Sequence, residues 1–332
     1  MTAKKKLKTS AMIASIAGEG QPTMATPFGH ALVEAAAAND KIVGMSADLA
    51  KYTDLHIFGN AFPDRFYQMG MAEQLLMSAG AGMAREGFIP FVTTYSVFAS
   101  RRAYDFIAMA IAEEKLNVKI VCALPGLTTG YGPSHQATED IAIFRGMPNL
   151  TIIDPCDAID IQQSVQAMVD HDGPVYMRLL RGKVPKVLDR FDDYYFEIGK
   201  AKHLIKGDDA LIISSGLMTM RAVEASDQLE EKGTAVTVLH CPTIKPLDEE
   251  TILAEVRRHA GKPVFVAENH SVVGGLGESV ASLLMRNGVQ ARFQQIGLPD
   301  EFLGAGALPT LHDRYGISTQ EVVKKVEKSL SE

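Results

Sequence analysis

The chain has 332 residues, and this length predicts about two domains. Hydrophobic residues make up 46% and charged residues 22%, which is typical of a globular protein. The formal net charge of −7 argues against a nucleic acid or an anionic membrane as a partner, since both attract basic surfaces. No apolar run reaches the ~18 residues that a membrane span needs.

Cysteine usage indicates a cytoplasmic protein. Cys122, Cys156 and Cys241 lie far apart, each in or beside an apolar segment, and are predicted to be reduced thiols. The sequence has no CxxC or HExxH motif, so no metal site is expected on this chain. The lysine-rich N-terminal segment lacks the continuous apolar stretch of a secretory signal. Residues 1–20 are predicted to be a tail or an arm packed on a partner.

Short apolar segments alternate with helical ones in the first part of the chain. We predict helices over residues 24–38, from 73, over 96–114, from 138 and over 157–169, and strands over residues 41–46, 65–69, 88–94, 118–123, 150–153 and 175–179. Residues 50–64, which include Gly59 and Pro63, are predicted to be a loop. Residues 186–200 are polar and aromatic without a clear period, and are predicted to connect two domains.

The second part of the chain repeats this alternation. We predict strands over residues 210–215, 235–240, 264–268 and 291–296, and helices over residues 217–231, 251–259, 276–285 and 319–329. The glycines of residues 274–277 lack the spacing of a dinucleotide-binding fingerprint and are predicted to form a turn between strand and helix. The sequence therefore predicts an α/β fold of two doubly wound domains with mainly parallel sheets, over residues 21–190 and 200–332.

Polar and aromatic side chains follow the predicted strands of the first domain. Asp48, Glu73 and Tyr95 come directly after three of these strands, and His135 ends the glycine-rich loop after a fourth. Ligands of parallel sheets bind beyond the carboxyl ends of the strands. We therefore expect these four side chains to share a site.

Glu73 is the most informative of the four because it begins an apolar helix. Burying an ionised carboxylate among leucine, methionine and alanine side chains costs several kcal/mol unless the group is paired or protonated. The residues alone leave two interpretations open. Glu73 is either an acid of the first helical turn that complements the helix dipole, or an acid kept for chemistry.

Seven short motifs follow one another in a specific order: residues 46–49, 62–66, 70–74, 95–98 with Arg101, 132–136, 144–149 and 181–185. Each motif is weak alone, but in this order they resemble the transketolase group of thiamine diphosphate enzymes. Residues 23–185 are similar to the pyrimidine-binding domain of that group, and residues 205–325 to its C-terminal domain.

One motif of the group is missing. The sequence contains no Gly-Asp-Gly metal motif, and its length fits only two of the group's three domains. The chain therefore resembles the C-terminal half of a split transketolase. This resemblance implies thiamine diphosphate shared with a separate N-terminal subunit, which would hold the diphosphate and Mg²⁺. It also implies self-association through the pyrimidine-binding domain into an α₂β₂ assembly, with small-molecule ketose and aldehyde substrates.

The resemblance assigns cofactor contacts to four residues besides Asp48. Glu73 would hydrogen-bond N1′ of the aminopyrimidine and hold or share a proton there, which apolar surroundings favour. Tyr95 and Phe98 would hold the ring by stacking, with ordinary core aromatics as the alternative. Arg101 would reach the bound molecules, or else pair with Asp105 at i+4.

Asp48, His135 and Arg181 have further implied roles. Asp48 would lie near the pyrimidine or at a helix N-terminus, the alternative being a solvated turn acid. His135 would contact a substrate oxygen and shuttle protons, and Arg181 matches the arginine that meets a sugar phosphate or polar tail. Residues 268–270, Glu-Asn-His, are interpreted as structural or as part of an interface.

Three departures from the group's pattern indicate a non-standard substrate. Pro27 stands where the group has an arginine, residues 124–125 are Leu-Pro where it has a histidine, and Tyr131 lies where it has an acid. The favoured function is still transfer of a two-carbon ketol unit. The alternatives are the β-subunit of a 2-oxoacid dehydrogenase or another decarboxylating enzyme with this cofactor, and a non-catalytic regulatory subunit.

Overall fold

Two sheets of buried apolar strands form the framework of the protein. The structure is a computed structural model that describes residues 16, 17 and 20–332. Most of the predicted tail of residues 1–20 lies outside the described residues. None of the helices in the described part of the chain has the length and apolar character that crossing a membrane requires.

The strands of the described residues are short and mostly buried along their whole length. In chain order they are β1 (Thr23–Ala25), β2 (Ile42–Ser46), β3 (Phe66–Gln68), β4 (Ile89–Tyr95), β5 (Lys119–Ala123), β6 (Thr151–Ile153), β7 (Val175–Leu179), β8 (Lys183–Pro185), β9 (Lys202–Ile205), β10 (Ala210–Ser214), β11 (Val236–His240), β12 (Thr243–Lys245), β13 (Pro263–Ser271) and β14 (Arg292–Leu298).

Helices connect most of these strands. Those of the described residues are α1 (Pro27–Ala38), α2 (His56–Ala61), α3 (Glu73–Arg85), α4 (Ser96–Arg102), α5 (Tyr104–Ile107), α6 (Asp140–Arg145), α7 (Ala158–Asp170), α8 (Leu217–Glu230), α9 (Glu249–Arg258), α10 (Leu276–Arg286), α11 (Leu308–Arg314) and α12 (Thr319–Ser331). The predicted start of α7 is confirmed, because the Asp157 carboxylate accepts a hydrogen bond from the N–H of Asp160, 2.9 Å away.

The first sheet has the strand order β12-β6-β7-β5-β4-β2-β3 among the described residues. All of its pairings are parallel except that of β12 with β6. The carboxyl ends of β2, β4 and β5 therefore lie side by side, and this edge carries the candidate site.

The second sheet has the order β14-β13-β10-β11-β9, in which only β9 is antiparallel to its neighbour. The predicted α/β fold with mainly parallel sheets is confirmed. The two sheets are not independent, because β12 follows β11 in the chain yet pairs with β6 at the edge of the first sheet. This strand was not predicted from the sequence.

Three predictions of local structure were wrong. Residues 50–64 are not a loop but contain α2 between two short 3₁₀ turns, because Leu55 and Phe58 are buried together. The helix predicted from residue 24 begins at Pro27, and residues 23–25 pair with β8 instead. The long helix predicted over residues 96–114 is interrupted at Ala103, between α4 and α5, and α5 passes directly into a π-helical turn over residues 108–112.

A buried arginine joins the two sheets. Arg178, on β7, is 1% exposed and donates hydrogen bonds to both carboxylate oxygens of Asp140, at 2.9 and 3.1 Å. Its other contacts are the carboxylate of Asp154 and the carbonyl oxygen of Asn269 on β13, each at 3.0 Å. Arg178 thus has a structural position between the sheets, whereas Arg181, three residues on, lies on the candidate site's side.

Candidate functional site

Glu73 lies at the first residue of α3, where the chain turns through Gly70 at a φ of 72°. Its side chain is only 3% exposed. The carboxylate accepts hydrogen bonds from Nη1 of Arg102, at 3.3 and 3.4 Å, and from the hydroxyl of Thr94, at 3.4 Å. The buried acid is therefore paired, by a cation that the sequence analysis did not select.

Aromatic rings cluster beside this carboxylate. The ring centroids of Tyr95, at the end of β4, and Phe98, on α4, lie 5.6 Å apart. The imidazole of His135 approaches both edge-on, at 6.1 and 5.5 Å, and the ring of Tyr131 lies 5.0 Å from it. The structure therefore brings together three of the predicted site residues, with Tyr131 as an additional wall.

His135 keeps one ring nitrogen engaged. Its Nδ1 lies 2.9 Å from the hydroxyl of Ser134. Partial burial, with a smaller contribution from the positive charge of Arg102, lowers the pKa of His135 below its ordinary 6.5. The imidazole is therefore neutral at pH 7 and is able to accept a proton.

Arg102 contacts two members of the site at once. Besides its ion pair with Glu73, its guanidinium carbon lies 4.0 Å from the centroid of the Phe98 ring. A signal was present in the sequence, since Arg102 follows Phe98 by four residues and shares its helix face. Its pairing with Glu73, 29 residues away in the chain, was not readable.

Arg101 supports the loop that carries His135. It forms an ion pair with Glu139, and its Nη1 donates to the carbonyl oxygen of Pro133 at 2.9 Å. Its Nη2 donates to the carbonyl oxygen of Gln136 at 3.4 Å. The predicted alternative of a pair with Asp105 was wrong, because the side chain turns toward this loop.

Asp48 stands apart from the carboxylate and the rings in the described contacts. It is exposed after β2, with a left-handed backbone φ of 60°, and its N–H donates to the side-chain oxygen of Gln68 at 2.6 Å. Its position at the carboxyl edge of the sheet is as predicted. Its role near a cofactor stays a prediction.

Arg181 lies on a different wall of the edge. Its guanidinium carbon is 5.7 Å from the centroid of the Tyr52 ring. Its Nε is buried and has no hydrogen-bond partner among the described residues. Burial raises the pKa of Tyr95 above its ordinary 10, and the charge of Arg181 opposes this shift. A half-buried cation with an unpaired donor is suited to an anionic or polar ligand group.

Residues 268–270 have structural contacts, in agreement with one of the two predicted interpretations. The carboxylate of Glu268 accepts hydrogen bonds from the N–H groups of Leu276 and Gly277, at 2.6 and 2.8 Å, and so caps α10. Asn269 accepts from the N–H of Leu127 at 2.9 Å and thereby holds the glycine-rich loop.

Side chains of the types that ligate metal ions come together at one place among the described residues, formed by Cys156, Asp160 and His240. All three are buried and already in use. The Asp160 carboxylate accepts from the N–H of Cys156 at 2.8 Å and lies 2.9 Å from Nε2 of His240. Burial raises the pKa of the Cys156 thiol, which disfavours the thiolate that binds metals. We interpret this trio as a polar contact between the two sheets.

Comparison with known families identifies both domains. Residues 20–186 match the family described as transketolase, pyrimidine binding domain, and residues 199–322 match the family described as transketolase, C-terminal domain. The chain belongs to the transketolase family. A transketolase family protein of Sinorhizobium fredii, the uncharacterized y4mN, is 70% identical over 328 residues, which cover 98% of this chain and 94% of that protein.

Two further members of the transketolase family have similar lengths. A Clostridium relative named 6-deoxy-6-sulfo-D-fructose transketolase subunit SqwH is 35% identical, over 88% of this chain and 90% of that protein. A solved structure described as a split gene transketolase, an inactive beta4 tetramer, superposes with a TM-score of 0.84 at 39% identity, covering 93% of this chain and 99% of that one. The match spans nearly the whole length of this chain and of both relatives.

Proposed function

We propose that this chain is one subunit of a thiamine diphosphate-dependent transketolase that moves a two-carbon ketol unit from a ketose to an aldehyde. The observation that carries the proposal is the buried carboxylate of Glu73 beside the rings of Tyr95 and Phe98, at the ligand-binding edge of a parallel sheet. A merely structural acid of the first helical turn would not need an aromatic cluster next to it.

The residues present fit the aminopyrimidine half of the cofactor. Ring atom N1′ is a hydrogen-bond acceptor, and a protonated Glu73 donates to it. Phe98 and Tyr95 offer ring faces to a planar heterocycle, with Asp48 and Arg101 as proposed contacts at the rim. When bound, thiamine diphosphate supplies the carbon nucleophile that breaks the ketose chain and carries the two-carbon unit. The part of Glu73 is to hold and move a proton at N1′.

His135 and Arg181 are proposed to handle the substrate. The neutral imidazole takes a proton from a substrate hydroxyl and returns it, while Ser134 fixes the ring through Nδ1. Arg181 is proposed to bind an anionic or polar tail through the donor that lacks a partner in the described residues. Since one relative is named for a sulfonated sugar, a sulfonate belongs among the tails to test.

A second subunit is needed to complete the proposed site. Apolar side chains just before α3, on α3 and on the π-helical turn that packs against it are exposed, among them Met71, Leu75 and Met109. Such a patch is typical of a surface that another chain covers. We propose that an N-terminal subunit binding the diphosphate and Mg²⁺ covers part of it, and that a second copy of this chain covers another part in an α₂β₂ assembly.

Co-purification with the product of the adjacent gene tests the proposal. We expect the free chain to lack ketol transfer with any donor, and the two-subunit complex to bind thiamine diphosphate and transfer a two-carbon unit. The donor screen contains ketoses with phosphate, sulfonate or no charged tail, and pyruvate-like acids.

Each other result contradicts a part of this proposal. Full transfer by the free chain would exclude the split site. Decarboxylation of a pyruvate-like acid would favour the alternative enzyme class, and a complex that fails to bind thiamine diphosphate would favour a regulatory subunit.

Two further proposals concern the organisation of the protein. The functional units divide in the connection between residues 190 and 200, with the pyrimidine-binding domain before it and the C-terminal domain after it. We also propose a cytoplasmic location, because the three cysteines are buried and form no disulfide in the structure.

A further inference from the structure

Arg102 contacts both of the groups that bind the aminopyrimidine in the proposed function. Arg102 donates to the two carboxylate oxygens of Glu73, at 3.3 and 3.4 Å. The same guanidinium lies over the ring of Phe98, with its carbon 4.0 Å from the centroid. These are the carboxyl group and the aromatic face that a pyrimidine ring would use.

A guanidinium and an aminopyrimidine have similar binding chemistry. Both are planar, both stack on aromatic rings, and a guanidinium donates N–H groups to a carboxylate in its own plane. The partner of a buried carboxylate in the free chain must be a cation or a proton, because an unpaired charge there is costly. Arg102 meets that need in the structure.

We propose that Arg102 is a stand-in for the aminopyrimidine in the free subunit and that cofactor loading displaces it. This inference rests on the proposed function. A carboxylate paired with Arg102 is only an acceptor, whereas N1′ needs a donor, so the two partners compete for Glu73. The side chain of Arg102 is 51% exposed, and it therefore has solvent to move into.

Binding of the free pyrimidine fragment to the free chain tests this inference. The probe is 4-amino-5-hydroxymethyl-2-methylpyrimidine, which is titrated by calorimetry against the full chain without the second subunit. We expect the variant Arg102→Met to bind the probe roughly tenfold more tightly than the wild type, since the ion pair and the cation–π contact no longer compete. Equal or weaker binding by this variant overturns the proposal.

A matched control separates this effect from the loss of a positive charge. Arg85 is 54% exposed and forms an ion pair with Glu114, so Arg85→Met makes the same change in a similar setting. We expect the control to bind the probe like the wild type. An equal gain in the control contradicts displacement at Glu73.

The variant Arg102→Lys keeps the test decisive if the methionine variant fails to fold. It retains a cation for Glu73 but loses the planar guanidinium that stacks on Phe98, and we expect a smaller gain in affinity. No gain in a folded lysine variant also overturns the proposal.

The proposed function fails by a different result. If the two-subunit complex transfers a ketol unit but the Arg102 variants gain no affinity, only the stand-in role is wrong. If the complex shows no transfer and no cofactor binding, the proposed function is wrong whatever the Arg102 variants do.

Discussion

Glu73 combines three properties that a helix-capping acid does not need. It is buried, its charged partner Arg102 comes from another helix, and that partner also lies over the ring of Phe98. A first-turn acid complements the helix dipole without any of these features. The structure thus holds the Glu73 carboxylate away from bulk water, as the proposed proton-holding role requires.

The variant Glu73→Gln tests this proton-holding role. Glutamine keeps the size of the side chain but cannot donate a titratable proton, so we expect a folded complex whose bound cofactor exchanges its C2 proton for deuterium about 10²–10⁴-fold more slowly. The control is Glu86→Gln, at the exposed far end of α3. Exchange at the wild-type rate in the Glu73 variant would refute the assigned role.

The sequence predicted the site residues that a parallel sheet aligns. Glu73, Tyr95 and His135 each follow a strand, and the carboxyl ends of neighbouring strands bring them to one edge. Arg102 was missed because its partner depends on how α4 packs against α3, which no local pattern encodes. The loop contacts of Arg101 were missed for the same reason, since they join segments 32 to 38 residues apart.

At the scale of elements, local signals failed where packing overrides them. Gly59 and Pro63 indicate a loop, yet the segment forms α2, because Gly59 lets the ring of Phe66 approach closely. A Cβ at Gly59 would lie 3.1 Å from that ring. By contrast, a turn is present between β13 and α10 as predicted, although of residues 274–277 the last two already belong to the helix.

The junction of β13 and α10 contains Glu268, whose titration changes the free energy of unfolding in a definite direction. Burial raises the pKa of Glu268 from its ordinary 4.5 to about 7, against the hydrogen bonds from Leu276 and Gly277. Between these two pH values the folded protein holds a proton that the unfolded chain has lost. This group therefore lowers the free energy of unfolding as the pH rises from 4.5 to 7.

The variant Glu268→Gln removes this dependence. We expect the variant to gain on the order of 2–3 kcal/mol relative to the wild type between pH 4.5 and 7, whatever constant offset the substitution adds. Urea unfolding at several pH values measures the difference, from which the opposite titration of His312 cancels because both proteins contain it. His270 lies 3.9 Å from the Glu268 carboxylate, so any change in its own titration is part of the measured difference. The exposed neighbour Glu278→Gln serves as the control, and a pH-independent difference for Glu268→Gln would disprove the assignment.

At the scale of the whole molecule, buried polar contacts fix one sheet against the other. Arg178 binds Asp140 and Asp154 from the first part of the chain and the backbone of Asn269 from the second. The hydroxyl of Ser215 adds a contact to Asp154 at 2.9 Å. These contacts hold the two sheets in one relative arrangement. The residues around the edge that carries Glu73 are therefore held in place as well.

The variant Arg178→Met is expected to be strongly destabilised. Removing the cation leaves two buried carboxylates unpaired, which costs about 3–5 kcal/mol of unfolding free energy. The control is Arg190→Met, which breaks the exposed pair with Asp227 and is expected to cost no more than about 1 kcal/mol. Denaturant unfolding measures the free energy of unfolding of both variants. Equal decreases would show that the buried contacts of Arg178 contribute no more to stability than an exposed ion pair.

At the scale of the whole molecule, the parallel sheets were predicted from the sequence but one strand pairing was not. The repeated alternation of strands and helices predicted parallel sheets, because each crossover helix leaves a recognisable pattern. The pairing of β12 with β6 was not predicted, since a three-residue strand has no period of its own and its partner lies about ninety residues earlier in the chain.

The position of β12 also determines when the first sheet can be completed during synthesis on the ribosome. The edge strand of the first sheet is synthesised only after β9, β10 and β11, which belong to the second. Until then β6 has an open edge that other nascent chains are able to pair with. A gene divided within the connection of residues 191–199 would encode one product with an unfinished sheet and another with a stray strand. The first sheet is therefore complete only in a chain that contains both matched domains.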